Sequence, residues 1–214
     1  MKFYTEAEIL QITEDLERAV TIAVNFVIKA EHRVYDLNEM KKILKEAKKI
    51  VLHECGCKAE FQNCNSPRRV CIQIDGVEEE ELDLQRYKPE EISLDEALEV
   101  LEMSHKANLV HMAYIMKDED KPSIICSCCP CCCHTLGSLV RNGIHTQILT
   151  STYVAVGNRD KCIDCGQCVE RCVFQTRWMK ERELVYDQTR CFGCGLCVST
   201  CPKQAISLVP RKIL

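Results

Sequence analysis

The chain has 214 residues, with 28 basic and 32 acidic side chains and 18 cysteines. Its length suits one or two domains; no run of about 18 apolar residues offers a membrane span, and the opening Met1-Lys2-Phe3-Tyr4-Thr5-Glu6 lacks the apolar core of a secretory signal, so a cytoplasmic location is expected. In that compartment many cysteines argue for metal and against disulfides, and the adjacent Cys131-Cys132-Cys133 would pair with one another poorly.

Charge is unevenly spread. Residues 1–151 hold 18 basic and 26 acidic side chains, and residues 152–214 hold 10 and 6. The basic excess of the tail is read as counter-charge for anionic metal centres, from Arg171, Arg177, Lys180, Arg190 and Lys203, and not as a nucleic-acid footprint. The stretch from Asp75 to Glu102 has 12 acids against Arg86 and Lys88. It is read as a solvated surface, with a docking face for a basic redox partner as the other reading.

In chain order, residues 6–30 predict a long amphipathic helix, with Ile9, Ile12, Leu16, Val20, Ala23 and Val27 at spacings of three and four. Thr5 would cap it, with Glu8 completing a capping box. A second helix is predicted from about Asn38 to His53, with Met40, Ile43, Leu44, Ala47, Ile50 and Val51 on one side. A turn-rich, cysteine-bearing loop follows over Cys55–Cys71, marked by Asn63, Asn65, Ser66 and Pro67. A third helix is predicted over Leu94–Ala107, capped by Ser93 and Glu96. Leu109–Ile115 and Ile124–Ile125 read as strands. Cys131–Asn142 reads as a helix opened by Pro130 and ended by Gly143. A linker is placed at Leu149–Tyr153.

The tail carries a doubled frame: Cys162-x2-Cys165-x2-Cys168-x3-Cys172 and Cys191-x2-Cys194-x2-Cys197-x3-Cys201-Pro202. Thiolates at this spacing wrap four-iron, four-sulfide cubanes, the fourth cysteine of each run reaching the other run's cluster. Zinc ribbons use only two more widely separated CxxC pairs. Val173 stands after Cys172 where Pro is usual, which alters a turn preference and leaves the sulfur ligand.

Ten cysteines lie outside this frame. Cys55, Cys57, Cys64 and Cys71 form a complete ligand set for one cubane or one zinc ion, or share duty with the second group. That group is Cys126, Cys128, Cys129, Cys131, Cys132 and Cys133. A further iron–sulfur centre is the favoured reading for it; a redox-active dithiol, a zinc site and a set of buried thiols are the alternatives. If the stretch before Pro130 is extended, Cys126 and Cys128 share a face and Cys129 points away, so the six do not all serve one cubane. His134 is read as a surface or helix-cap residue in preference to a ligand.

Residues 152–214 resemble the dicluster bacterial-type [4Fe-4S] ferredoxin domain. The carrying residues are the two cysteine runs, with Gly166, Gly193 and Gly195 in them and Ala205-Ile206 beyond. The resemblance implies two short βαβ-like halves, with Cys162, Cys165, Cys168 and Cys201 holding one cluster and Cys191, Cys194, Cys197 and Cys172 the other. The wider layout resembles a family of multi-cluster iron–sulfur proteins of anaerobic bacteria and archaea, through Cys55-Gly56-Cys57, Asn108-Leu109-Val110-His111, the 126–133 run and the tail. Leu109 stands there where that family would have Gly.

The expected architecture is therefore α+β: an α-rich cysteine-rich domain over 1–150, with one or two extra clusters, then a ferredoxin-like dicluster domain over 151–214. The expected function is single-electron transfer through several [4Fe-4S] clusters to or from a partner oxidoreductase in an anaerobe, as carrier or oxidoreductase subunit. A reductase with a substrate-binding or unusual N-terminal cluster fed by the tail, and a redox-sensing regulator, are the alternatives. No GxGxxG, GxxxxGK[ST] or GxSxG motif is present.

Overall fold

The computed structural model describes residues 5, 7, 30–75, 84–116, 121–143 and 148–211. The helix expected over 6–30 lies outside them, except that Ala7 is helical and its last residue opens a strand, β1 (Ala30–Tyr35).

Asp36 caps α1 (Leu37–Glu46) and exchanges hydrogen bonds with Glu39 in a capping box. This helix was expected to continue to His53; instead the backbone turns extended at Ala47 and β2 (Ile50–Glu54) begins. Ile50, Val51, Leu52 and His53 are buried on both faces of that strand. A short apolar run buried all round carries no alternation, so its period cannot separate strand from helix.

The cysteine loop is also more ordered than expected. It holds α2 (Gly56–Phe61), ended by Gln62 at φ +47°, and β3 (Arg69–Ile74). After α3 (Leu84–Tyr87) and β4 (Glu90–Glu91) comes α4 (Leu94–Lys106), with the predicted Ser93–Glu96 box. Asn108, at φ +63°, makes the tight turn that follows, and Leu109 enters the core behind it. The strands β5 (Val110–Met116) and β6 (Ile124–Cys128) lead to α5 (His134–Asn142). That helix starts four residues beyond Pro130, because Cys133 is its N-cap and accepts from the Leu136 N–H at 3.4 Å. Gly143, at φ +67°, ends it as predicted.

Among the described residues, the part before the tail mixes helix with strand. It is built on a seven-stranded sheet in the order β4-β2-β3-β6-β5-β1-β7, where β7 is Ile148–Leu149. All neighbours are antiparallel except β1 and β7. The helices α1 and α4 cover one face, burying Met40, Leu44, Ala97 and Leu101 against Ile72, Ala113 and Ile125. Val34, Val110 and Met112 pack with Leu136 and Leu139 of α5.

The tail repeats itself at an interval of 29 residues. Gly166 and Gly195, at φ +75° and +77°, precede the one-turn helices α6 (Gln167–Glu170) and α7 (Leu196–Ser199). The strands β8 (Tyr153–Gly157) and β11 (Ile206–Pro210) pair, as do β9 (Arg177–Lys180) and β10 (Glu183–Tyr186). Val173, Phe174 and Leu196 pack with Val34, Val110, Leu136 and Leu139, so the valine standing for the usual proline is part of the contact between tail and sheet.

Candidate metal centres

In the tail, one cavity of roughly 460 Å³ is lined by Cys162, Cys165 and Cys168 of the first run and by Cys201 of the second. Apolar Ile163, Leu184 and Ile206 stand in its wall, with Arg177 and Tyr186 beside them. Four thiols around a space of this size fit a four-iron cluster. The second set is Cys172, Cys191, Cys194 and Cys197: burial and then the charges of Cys197, Cys191 and Cys172 raise the pKa of Cys194, as expected for thiols crowded together. Each fourth cysteine thus sits with the other run's first three.

Backbone geometry supports both sets. The Thr176 N–H donates to Cys172 Sγ at 3.3 Å, and the Ala205 N–H donates to Cys201 Sγ at 3.2 Å, four residues after the last cysteine of each run. Such donors stabilise thiolate and raise a cluster's potential. Gly193 sits at φ +77°, where an added Cβ would lie 2.1 Å from the Tyr153 carbonyl oxygen. Of the five basic residues expected to offset cluster charge, Arg177 is buried, 3.7 Å over the Tyr186 ring, with an Nη left unpaired. Cys197, Cys168 and Cys172 surround it and oppose the effect of burial on its pKa. Arg171 instead donates to the carbonyls of His105 and Lys106, and Lys180, Arg190 and Lys203 are exposed.

Residues 155–208 match the family model of the 4Fe-4S dicluster domain. No curated protein matches the chain. The dicluster match implies iron–sulfur clusters and points to iron–sulfur electron transfer for this segment.

The ten remaining cysteines divide differently from their order in the sequence. Cys64 leaves the 55–71 group and joins Cys129, Cys131 and Cys132: their sulfurs lie within 4.8 Å of one another, with Cys64 3.7 Å from Cys129 and 3.8 Å from Cys132. Asn63 Nδ2 ties the two segments by donating to the Cys131 carbonyl at 2.8 Å. Burial raises the pKa of Cys64, but hydrogen bonds from Ser66 and contacts with Cys131 and Cys129 outweigh it and draw the thiol down to about 6.

The other six close a ring. Cys55 touches Cys57, Cys57 touches Cys133, Cys133 touches Cys128, Cys128 touches Cys126, Cys126 touches Cys71 at 3.9 Å, and Cys71 touches Cys55. Strand pairing produces the last contacts: with Ile72 opposite Ile125, Cys71 falls opposite Cys126. As the alternation of β6 predicted, Cys126 and Cys128 share this ring and Cys129 belongs to the other set. Hydrogen bonds from Cys126 and Cys133 bring Cys128 down to about 7. Cys57 rises to about 12, pressed by Cys133 and by burial.

All six line a cavity of roughly 540 Å³, with His53, Lys58, Glu60, Tyr114 and His134 in its wall and Cys129 of the other set at its border. Lys58 is 3% exposed, and its ammonium donates to the Ser127 carbonyl at 2.9 Å. Burying an ammonium is costly unless negative charge lies near, and Glu60 and the thiols of the same wall are the groups that could supply it. His134, the first residue of α5, is half-buried, and its Nδ1 lies 3.3 Å from Cys57 Sγ. Tyr114 stays protonated, its pKa raised by burial and by Cys126, Cys133 and Cys128. Arg68 and Arg69 stay outside the cavity, bound to Gln62, Glu90 and the Lys88 carbonyl.

Sequence reasoning missed Lys58, because a lysine following CxC is exposed by default and only packing says otherwise. It also missed a polar bridge between the regions. Ser127, between Cys126 and Cys128, bonds His111 Nδ1 at 3.1 Å through its Oγ. His111 stacks on His105 with centroids 5.9 Å apart, and His105 Nε2 lies 2.8 Å from Ser199 Oγ, between Cys197 and Cys201. The Asn108–His111 segment was a visible signal for half of it.

Proposed function

We propose that this chain is an electron-transfer protein with two domains, 1–150 and 151–214, passing single electrons to or from a partner oxidoreductase in the cytoplasm of an anaerobe. Its carriers would be [4Fe-4S] clusters held by Cys162, Cys165, Cys168 and Cys201 and by Cys191, Cys194, Cys197 and Cys172, with a further iron–sulfur centre in the six-thiol cavity. Clusters so ligated supply one-electron chemistry at a potential set by their surroundings. The observation that carries the reading is the regrouping of the tail thiols, in which Cys201 lines the cavity of the first run.

The chain's own residues supply the rest. Arg177 places positive charge between the two thiol sets. Phe174 and Phe192 stack at 4.4 Å between centroids. They border the apolar cluster that Cys128 and Cys133 enter from the sheet and Cys194 from the tail, so the second tail set is the one facing the six-thiol cavity. At the far side of the tail, Cys165 is exposed and Ile163 is 55% exposed, which suits electron exchange with a partner there.

A second reading is favoured by one observation: the six-thiol cavity has a phenol, Tyr114, and an imidazole, His134, in its wall. Both would serve a reductase as proton sources beside a substrate-binding centre. Iron and acid-labile sulfide per chain, with EPR of the anaerobically reduced protein, test the main reading. More than eight irons, falling to eight in Cys126→Ala, is expected. Eight irons in the unaltered chain would sink the third centre, and a substrate-induced change in a non-tail EPR signal would move the balance to the reductase.

A further inference from the structure

We propose that Cys64, Cys129, Cys131 and Cys132 hold one tetrahedral divalent ion of the zinc class, and not an iron–sulfur cluster. Four thiolates around one such ion at about 2.3 Å stand roughly 3.8 Å apart, the edge of the tetrahedron. Two of the separations here are 3.7 and 3.8 Å, and all four sulfurs lie within 4.8 Å of one another. A cubane interposes irons and sulfides between its terminal thiolates and holds them further apart.

The molecule carries its own ruler for this. Among the described residues, Cys64, Cys129, Cys131 and Cys132 form the one group of three or more potential ligands drawn so close. The eight tail thiols, spaced for four-iron cages, do not form one, and neither do the six of the ring. The compact set is therefore dimensioned for one ion, the wider sets for polynuclear centres.

The donor set agrees. All four ligand positions are filled by thiols of the protein, which is the closed arrangement of structural zinc and not the open one of catalytic metal. Sulfur tetrahedra accept zinc or iron, and affinity at a given site runs higher for zinc(II) than for iron(II). Second partners are in place: Ser66 Oγ is 3.3 Å from Cys64 Sγ, and Asn63 holds the carbonyl of Cys131. The ion has a positional task as well. Cys64 lies between Cys57 and Cys71 in sequence, and Cys129–Cys132 lie between Cys128 and Cys133. Tying these two segments together fixes the spacing of the six-thiol ring without joining the electron path, since zinc has no redox chemistry.

The experiment uses the full chain, purified without oxygen and without added metal. Expected are one zinc per chain and a zinc-edge absorption spectrum fitting four sulfurs at about 2.3 Å with no iron neighbour. Cys131→Ser should lower zinc affinity tenfold or more while iron and sulfide content and the tail's EPR signals persist. A zinc-free protein overturns the proposal, whether Cys131→Ser loses roughly four irons as a cubane would require, loses a single iron, or loses no metal. If that variant does not fold, the zinc-edge spectrum of the unaltered chain decides alone. Failure here leaves the tail's iron count and EPR untouched, so it is distinguishable from failure of the electron-transfer reading.

Discussion

The tail and the cysteine-rich sheet before it hold comparable numbers of thiols and organise them in opposite ways. In the tail, each thiol set is nearly contiguous: three cysteines at three-residue spacing, turned by a left-handed glycine, plus one cysteine from the other run. Local backbone geometry does most of the placing, and the 29-residue repeat does it twice. In the sheet region, each set is assembled from segments some 60 residues apart, through strand register and the turn between β6 and α5. The difference teaches that cysteine spacing reports a site only where the chain wraps the metal locally. Where a sheet brings thiols together, neighbours in sequence can fall in different groups, as Cys128 lies against Cys126 and Cys133 while Cys129 lies against Cys64.

The sharpest break of this comparison is Gly193→Ala. The new Cβ would meet the Tyr153 carbonyl at 2.1 Å, and the left-handed backbone adds roughly 1–3 kcal/mol of strain. Loss of the second tail set is expected, read as about half of the tail's iron signal gone, while zinc and the sheet region's absorption survive. Equal loss from both regions would mean that the sheet region depends on the tail for its fold.

Phe174→Ala tests that dependence directly. Removing a buried phenyl that packs on both Phe192 and the sheet-side cluster should cost about 3–5 kcal/mol. A fall in Tm by thermal unfolding, with metal content unchanged, is the expected result.

Lys58→Met asks whether the six-thiol cavity is anionic. With metal-bound thiolates in place, losing the buried ammonium should weaken metal retention by 10- to 100-fold in a chelator competition, the size of an outer-sphere effect. In a cavity of neutral thiols the same change would be neutral or stabilising.

Acid should separate the two regions more gently. Burial, and then the charge of His105, depresses His111 to about 3, and burial followed by the charge of Arg171 depresses His105. Unfolded imidazoles titrate near 6.5, so the folded state binds fewer protons below that value. Stability from these groups is complete above about pH 6.5 and is lost as pH falls towards 3. The bridge between Ser127 and Ser199 should weaken over this window, seen as earlier denaturant unfolding; substituting Gln for both histidines should flatten the dependence. The smallest effect is expected from Glu102→Gln at the exposed pair with Lys41, 2.7 Å apart, where solvent and side-chain entropy leave no resolvable change in Tm.

Much of the fold was legible because its signals are local. The Ser93–Glu96 box, the Gly143 stop and the strand after Asn108 depend on a few adjacent residues. The strand β2 was misread because Ile50–His53 is buried on both faces, and the cysteine loop because Cys55-Gly56-Cys57 looks like a turn while Cys55 serves as the N-cap of α2. The Leu109 that stood for an expected glycine needed no special backbone: the preceding Asn108 takes the positive φ, and the leucine packs among Cys55, Val70 and Cys129.

The sequence by itself determined the number of thiols, the doubled tail frame, and the expectation that the fourth cysteine is exchanged between runs. Those follow from thiolate chemistry and from backbone turns only a few residues long. Only the tertiary structure decided how the other ten cysteines divide into four and six, that Lys58 and His134 join the six, and that two histidines bridge the regions. Register between distant strands sets those contacts, and register is a property of the whole sheet's packing, which no short stretch of sequence encodes.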